Sequence, residues 1–116
     1  MKKHLYALLV IGLIMSSCTT AEIPLEEDPD PILTTITYTA DVKPVIDNNC
    51  VTCHGAVNPN AGLSLTTYLQ VKNAAENGNL IARMNNALNP MPPAGILPAQ
   101  TRAIIDKWRD DGFLEN

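Results

Sequence analysis

The most constraining stretch of this chain is Cys50-Val51-Thr52-Cys53-His54. Two cysteines with two residues between them, and a histidine directly after the second, have the spacing of c-type haem attachment. The spacing has a chemical reason. Each thiol can add to one of two vinyl groups on the same porphyrin edge, and the adjacent histidine can then supply the proximal nitrogen to the iron. A chain committed to that chemistry has to pack its elements around a large apolar plate.

Two other uses of the pair fit less well. Structural zinc takes four ligands, and beyond Cys50, Cys53 and His54 the remaining cysteine and histidine candidates are Cys18 and His4, which belong to the export signal. A thioredoxin-like redox pair opens a helix after a strand in an α/β pattern, and no strand-like run precedes Cys50.

The leader covers residues 1–17. Lys2 and Lys3 form a basic start, and an apolar run extends from Leu5 to Met15. That run is short of the roughly 20 residues a bilayer-spanning helix needs and suits the apolar region of a signal peptide. Met15-Ser16-Ser17-Cys18 resembles a bacterial lipobox, with methionine where leucine is usual. The expectation is cleavage before Cys18 and lipid modification of its thiol. Cys50 and Cys53 are then the remaining cysteines, and no additional pair is left for a structural disulfide.

Charge separates a tether from a domain. The formal net charge of −4 becomes −6 once Lys2 and Lys3 are lost with the leader. Five acidic residues (Glu22, Glu26, Glu27, Asp28 and Asp30) lie within 18–37, together with Pro24, Pro29 and Pro31. Like charges and prolines keep such a segment extended. From Tyr38 onward, seven acidic residues face six basic ones, so 38–116 is a nearly neutral domain. It has no basic patch interleaved with aromatics, which excludes nucleic-acid binding, and no lysine ring for docking an acidic partner.

Within 38–116 the pattern is all-α, with four helices. Asp41 as N-cap, Pro44 in the first turn and the Val42, Val45, Ile46 stripe predict a helix over Asp41 to Asn48. Gly55 to Gly62 is rich in turn formers, and Leu63 and Leu65 flank Ser64 in a short extended strip. Thr66 is placed to cap a helix from Thr67 to Asn77, stopped by Gly78 at C′. A third helix is expected from Leu80 to about Leu88, aligning Leu80, Met84 and Leu88. The last opens at Pro98, runs to Asp111 with Ile104, Ile105 and Trp108 on one face, and stops at Gly112. Only Tyr38, Tyr68, Trp108 and Phe113 are aromatic in this domain. So modest a core gains from a covalently attached cofactor.

A six-coordinate haem needs a second axial ligand. Beyond the leader His54 is the one histidine, which excludes bis-His ligation within one chain. Methionine is the alternative and raises the redox potential. Met84 sits in a helical apolar stripe and reads equally as a gap-filling core residue. Met91 stands in Asn89-Pro90-Met91-Pro92-Pro93, where no helical pattern calls for a large apolar side chain and proline restricts the loop. Met91 is the favoured sixth ligand, with Met84 as the other candidate. Arg83 is placed either to meet a haem propionate or to sit in solvent.

Asp41 to Ile46, Cys50 to Gly55 and Asn89 to Pro93 together resemble a small class I cytochrome c, specifically the planctomycete-type cytochrome c domain. The likeness runs from about Tyr38 to Leu114. It implies three to five helices around a single haem c, with the terminal helices crossing so that Val42, Val45 and Ile46 meet Ile104, Ile105 and Trp108. By analogy, loop carbonyls around Pro59 would hold the second imidazole nitrogen. The expected function is transfer of single electrons between a redox protein donor and acceptor, outside the cytoplasm of a Gram-negative cell and anchored to membrane by lipid. No acid–base pair or small-molecule substrate pocket is visible, so an independent enzyme is not expected. The alternative is a haem-based binder or sensor of a diatomic gas, with Met91 displaced. A peroxidase-like activity would require an open sixth position.

Overall fold

Pro44, expected in a first helical turn, falls well inside a longer helical run. In the computed structural model, which describes residues 28–116, a π-helical turn over Tyr38–Val42 leads without a break into helix α1, Lys43–Asn49. The leader and the first half of the tether, 18–27 with Cys18, lie outside the described residues. In a regular helix the Pro44 ring presses on the carbonyl four residues earlier. The widened turn, in which Lys43 N–H reaches back five residues to the Tyr38 carbonyl, sits where that conflict would arise.

The expected cap is therefore corrected. Thr37, in extended conformation, is the N-cap, and Asp41 lies inside the helix. The Asp41 carboxylate instead reaches back and accepts the Thr37 N–H at 2.9 Å. What draws the helix a turn earlier is Tyr38, whose ring is buried against Tyr68 and Trp108, with centroids 5.4 and 6.0 Å away.

After a short 3-10 turn over Asn60–Gly62, three further α-helices follow: α2 (Tyr68–Glu76), α3 (Leu80–Met84) and α4 (Ala99–Asp110), with no strand among the described residues. Thr67, not Thr66, caps α2 in a reciprocal capping box with Gln70. The Gln70 side chain also accepts the Thr66 N–H and hydroxyl, so both threonines are tied to the same amide. Gly78 follows the end of α2 for a reason other than a left-handed turn. A β-carbon there would lie 2.8 Å from the Ala74 carbonyl oxygen, so the close return of the chain requires glycine.

Helix α3 is shorter than its apolar spacing suggested, and Leu88 is 98% exposed. The Asn86 side chain accepts the N–H groups of Leu88 and Asn89 at 2.9 and 3.0 Å. An asparagine that satisfies the backbone locally competes with helix continuation, and the Leu80–Leu88 register is broken at Asn85.

The core joins both ends of the domain. Val42, Ile46, Val71, Ile105 and Trp108 are fully buried in one cluster, each burial worth about 1.5–3 kcal/mol for the aliphatic side chains. The expected terminal crossing occurs at the π-helical turn, while Ile104 is only partly buried and Val45 faces the cavity described below. After α4, Gly112 and Phe113 both adopt positive φ, 86° and 59°. A phenylalanine holds that conformation because its ring packs edge-on to Trp108 at 4.9 Å and its N–H donates to the Trp108 carbonyl at 2.9 Å. The tail then folds back. The Leu114 carbonyl accepts both the Trp108 indole N–H and the Tyr38 N–H, each at 2.8 Å.

Upstream, Ile36 is buried and its N–H donates to Asp111 Oδ2 at 2.8 Å. Residues 28–32 run beside α4 and form an open cleft with Arg102, Asp106 and Lys107.

Candidate functional site

Helix α1 delivers its last turn directly into the cysteine pair. Cys50 N–H donates to the Ile46 carbonyl at 2.8 Å, and the Cys50 carbonyl in turn accepts the N–H groups of Cys53 and His54 at 3.1 and 2.9 Å. The motif is thus one more helix-like turn, which places Cys50 and Cys53 on the same side, three residues apart. Both thiols are free. Burial pushes the Cys50 thiol above its ordinary pKa.

The loop after the motif closes back onto it. Asn60 N–H donates to the Cys53 carbonyl at 2.9 Å, and Leu65 N–H to the His54 carbonyl at 2.8 Å. Between them Ala61 and Gly62 take positive φ values of 56° and 67°, turning the chain so that the Leu63 carbonyl meets His54 Nδ1 at 2.9 Å. A carbonyl can only accept, so Nδ1 carries the proton and the Nε2 lone pair is left for a metal. The acceptor expected near Pro59 is Leu63. Nothing in the sequence marks a backbone carbonyl four residues further on as the partner; its position follows from the two left-handed residues before it.

Cys50, Cys53 and His54 line one side of a cavity of about 500 Å³. Its walls are mainly apolar: Val45 and Ile46 from α1, Leu63 and Leu65 from the loop, Ala74 from α2, and Leu80 from α3. Leu97 and Ile105 close it further along the chain. Asn73, Asn77, Asn79 and Arg83 supply a polar margin, and Gly78 brings backbone close to the space. Both candidate methionines reach the same cavity. Met84 is packed into the core, 4% exposed, whereas Met91 is 38% exposed in the proline loop. The Met91–Pro92 peptide is cis.

This residue set fits a haem. An apolar slot of ligand size brings together two free thiols at attachment spacing, an imidazole with its outer nitrogen already bonded, and two thioethers. Among the described residues there is no group of three or more His, Cys, Asp or Glu side chains able to hold a metal ion by itself. Arg83 is not simply solvated: its guanidinium bonds Asn89, through Nε to the carbonyl and Nη2 to the side-chain oxygen, both at 3.2 Å.

Residues 50–95 match the family model described as planctomycete cytochrome C, from the first cysteine of the motif past the Met91 loop. The match supports a planctomycete-type cytochrome c domain, in agreement with the all-helical fold. No curated protein and no solved structure matches the chain significantly. A cytochrome c domain implies haem c and redox-protein partners, and is consistent with an electron carrier rather than an enzyme.

Proposed function

We propose that the protein is a monohaem c-type cytochrome that carries single electrons between redox proteins, with Cys50 and Cys53 as the attachment thiols and His54 and Met91 as the axial ligands. The observation that carries this reading is the convergence on one apolar cavity of both motif cysteines, His54 and a thioether from the far end of the matched segment. When bound there, a haem supplies a one-electron iron couple. The chain supplies the rest. Cys50 and Cys53 fix the porphyrin edge, the Leu63 carbonyl holds the His54 ring in the tautomer that presents Nε2, and the apolar walls exclude water and favour the reduced, less charged state.

The near-neutral domain favours partners that recognise an uncharged face. A lipid on Cys18, with the acidic residues that follow it as tether up to the segment packed on the domain, would raise the local concentration of the domain near membrane-bound partners in place of electrostatic steering. On this reading the domain works outside the cytoplasm, in a Gram-negative periplasm; the short apolar leader and the lipobox-like Met15-Ser16-Ser17-Cys18 stretch support it. Replacing Cys18 with serine is expected to move the protein from the membrane fraction to the soluble one.

The central test is carbon monoxide binding by the ferrous protein, produced with haem-attachment machinery. A carrier closed by Met91 scarcely binds it, and Met91→Ala binds it readily. Ready binding by the wild type would instead favour the gas-binding reading, and absence of covalent haem from both proteins would end the proposal.

A further inference from the structure

Arg83 grips the Met91 loop in two ways. Its side chain donates to the carbonyl and side-chain oxygens of Asn89, and its own carbonyl accepts the Met91 N–H at 3.0 Å. The contacts fall on either side of Pro90, which has no N–H to offer. Asn89 is further held by its N–H, bonded to Asn86. Its backbone N–H, carbonyl and amide oxygen are all engaged, and the arm leading to Met91 is fixed from the last turn of α3.

That attachment matters because two thioethers compete for one cavity. Met84, directly after Arg83, is held by core packing. Met91 has more than a third of its surface exposed, so packing restrains it little, and its placement depends on the loop bonds. We propose that Arg83 is the positioning residue for the sixth ligand: its clamp on Asn89 presents the Met91 thioether to the cavity and so selects Met91 over Met84. The inference rests on the haem reading above. A planar fork with several N–H groups spans two acceptors of one residue, which a lysine ammonium does in no fixed geometry.

The clamp is testable in the full-length holoprotein. Arg83 itself lines the cavity, so Arg83→Ala changes both the clamp and the wall. Asn89 is not a lining residue, and Asn89→Ala removes one clamp contact while leaving the wall intact. Three quantities are read: the far-red thioether-to-ferric-iron charge-transfer band, the carbon monoxide affinity of the ferrous state, and the midpoint potential. Arg83→Ala is expected to weaken the band, lower the potential and tighten carbon monoxide binding about three- to ten-fold, the size expected for losing a pair of partly exposed charge-assisted bonds. Asn89→Ala should move all three in the same direction by less, and Arg83→Lys should restore them only in part. A purely structural role would lower the melting temperature without moving band or potential. If Met91→Ala abolishes the band while Arg83→Ala and Asn89→Ala both leave it at wild-type strength, the clamp is refuted and Met91 ligation stands. If Met84→Leu abolishes the band and Met91→Ala does not, the ligand assignment itself is wrong, and the clamp falls with it.

Discussion

His54 Nδ1 lies 2.9 Å from the Leu63 carbonyl oxygen, across a loop that begins and ends with bonds to the cysteine motif. The contact fixes the ring's tautomer and leaves Nε2 as the nitrogen able to bind metal. His54→Ala is therefore expected to lose the low-spin haem spectrum, because no other histidine in the domain can replace it. Added imidazole should restore that spectrum by occupying the vacated space. An unchanged low-spin spectrum in His54→Ala without imidazole would remove His54 as the proximal ligand.

Cys50 and Cys53 share one side of a single turn, but their surroundings differ: Cys50 is half-buried and Cys53 exposed. Each thiol is expected to form one thioether. Either single substitution to alanine should still retain haem through denaturation, at reduced yield, whereas Cys50→Ala with Cys53→Ala should release it completely. Intact-protein mass spectrometry of denatured samples checks this. Haem retained on the double variant would refute attachment at these residues.

Much of this site can be read from the chain because its chemistry is local. Cys50, Cys53 and His54 lie within five residues, and Met91 is conspicuous because a large apolar residue stands among prolines. The four helices are legible for a similar reason, since apolar spacing and caps act over a few residues. What escaped depends on contacts between distant segments. The first helix starts at Tyr38 because Tyr68, Trp108 and the Leu114 carbonyl receive it, none of them within 29 residues in sequence. Helix α3 ends early because Asn86 satisfies the following backbone, which an apolar period of four does not register. Leu63 serves His54 through its backbone, so its side chain says nothing of the role.

Gly78 offers a stability test of the cavity's outer wall. A β-carbon there meets the Ala74 carbonyl oxygen at 2.8 Å, and the obstacle is backbone at the end of α2 rather than a movable side chain. Gly78→Ala is expected to cost about 1–3 kcal/mol through overpacking, lowering the thermal midpoint of the holoprotein. Gly62→Ala meets no atom within 4 Å but has φ +67°, so its cost is conformational, about 1–2 kcal/mol. Midpoints at or above wild type in both variants would show that neither backbone constraint holds.

Asp111 couples the segment entering the domain to the end of α4. Its carboxylate accepts the Ile36 N–H and pairs with Lys107, and these contacts hold its pKa below the ordinary carboxylate value. A group whose folded pKa is depressed stabilises the fold fully above its unfolded value, about 3.9. That contribution is lost as pH falls through the lower folded value. Asp111→Ala should therefore melt below wild type at pH 7, with a gap that narrows once the pH drops under about 4 and closes as the wild-type carboxyl is protonated. Thermal melts across this range check the sign. A gap that stays constant through acid would assign the loss to packing around Ile36 instead of to the charged carboxylate.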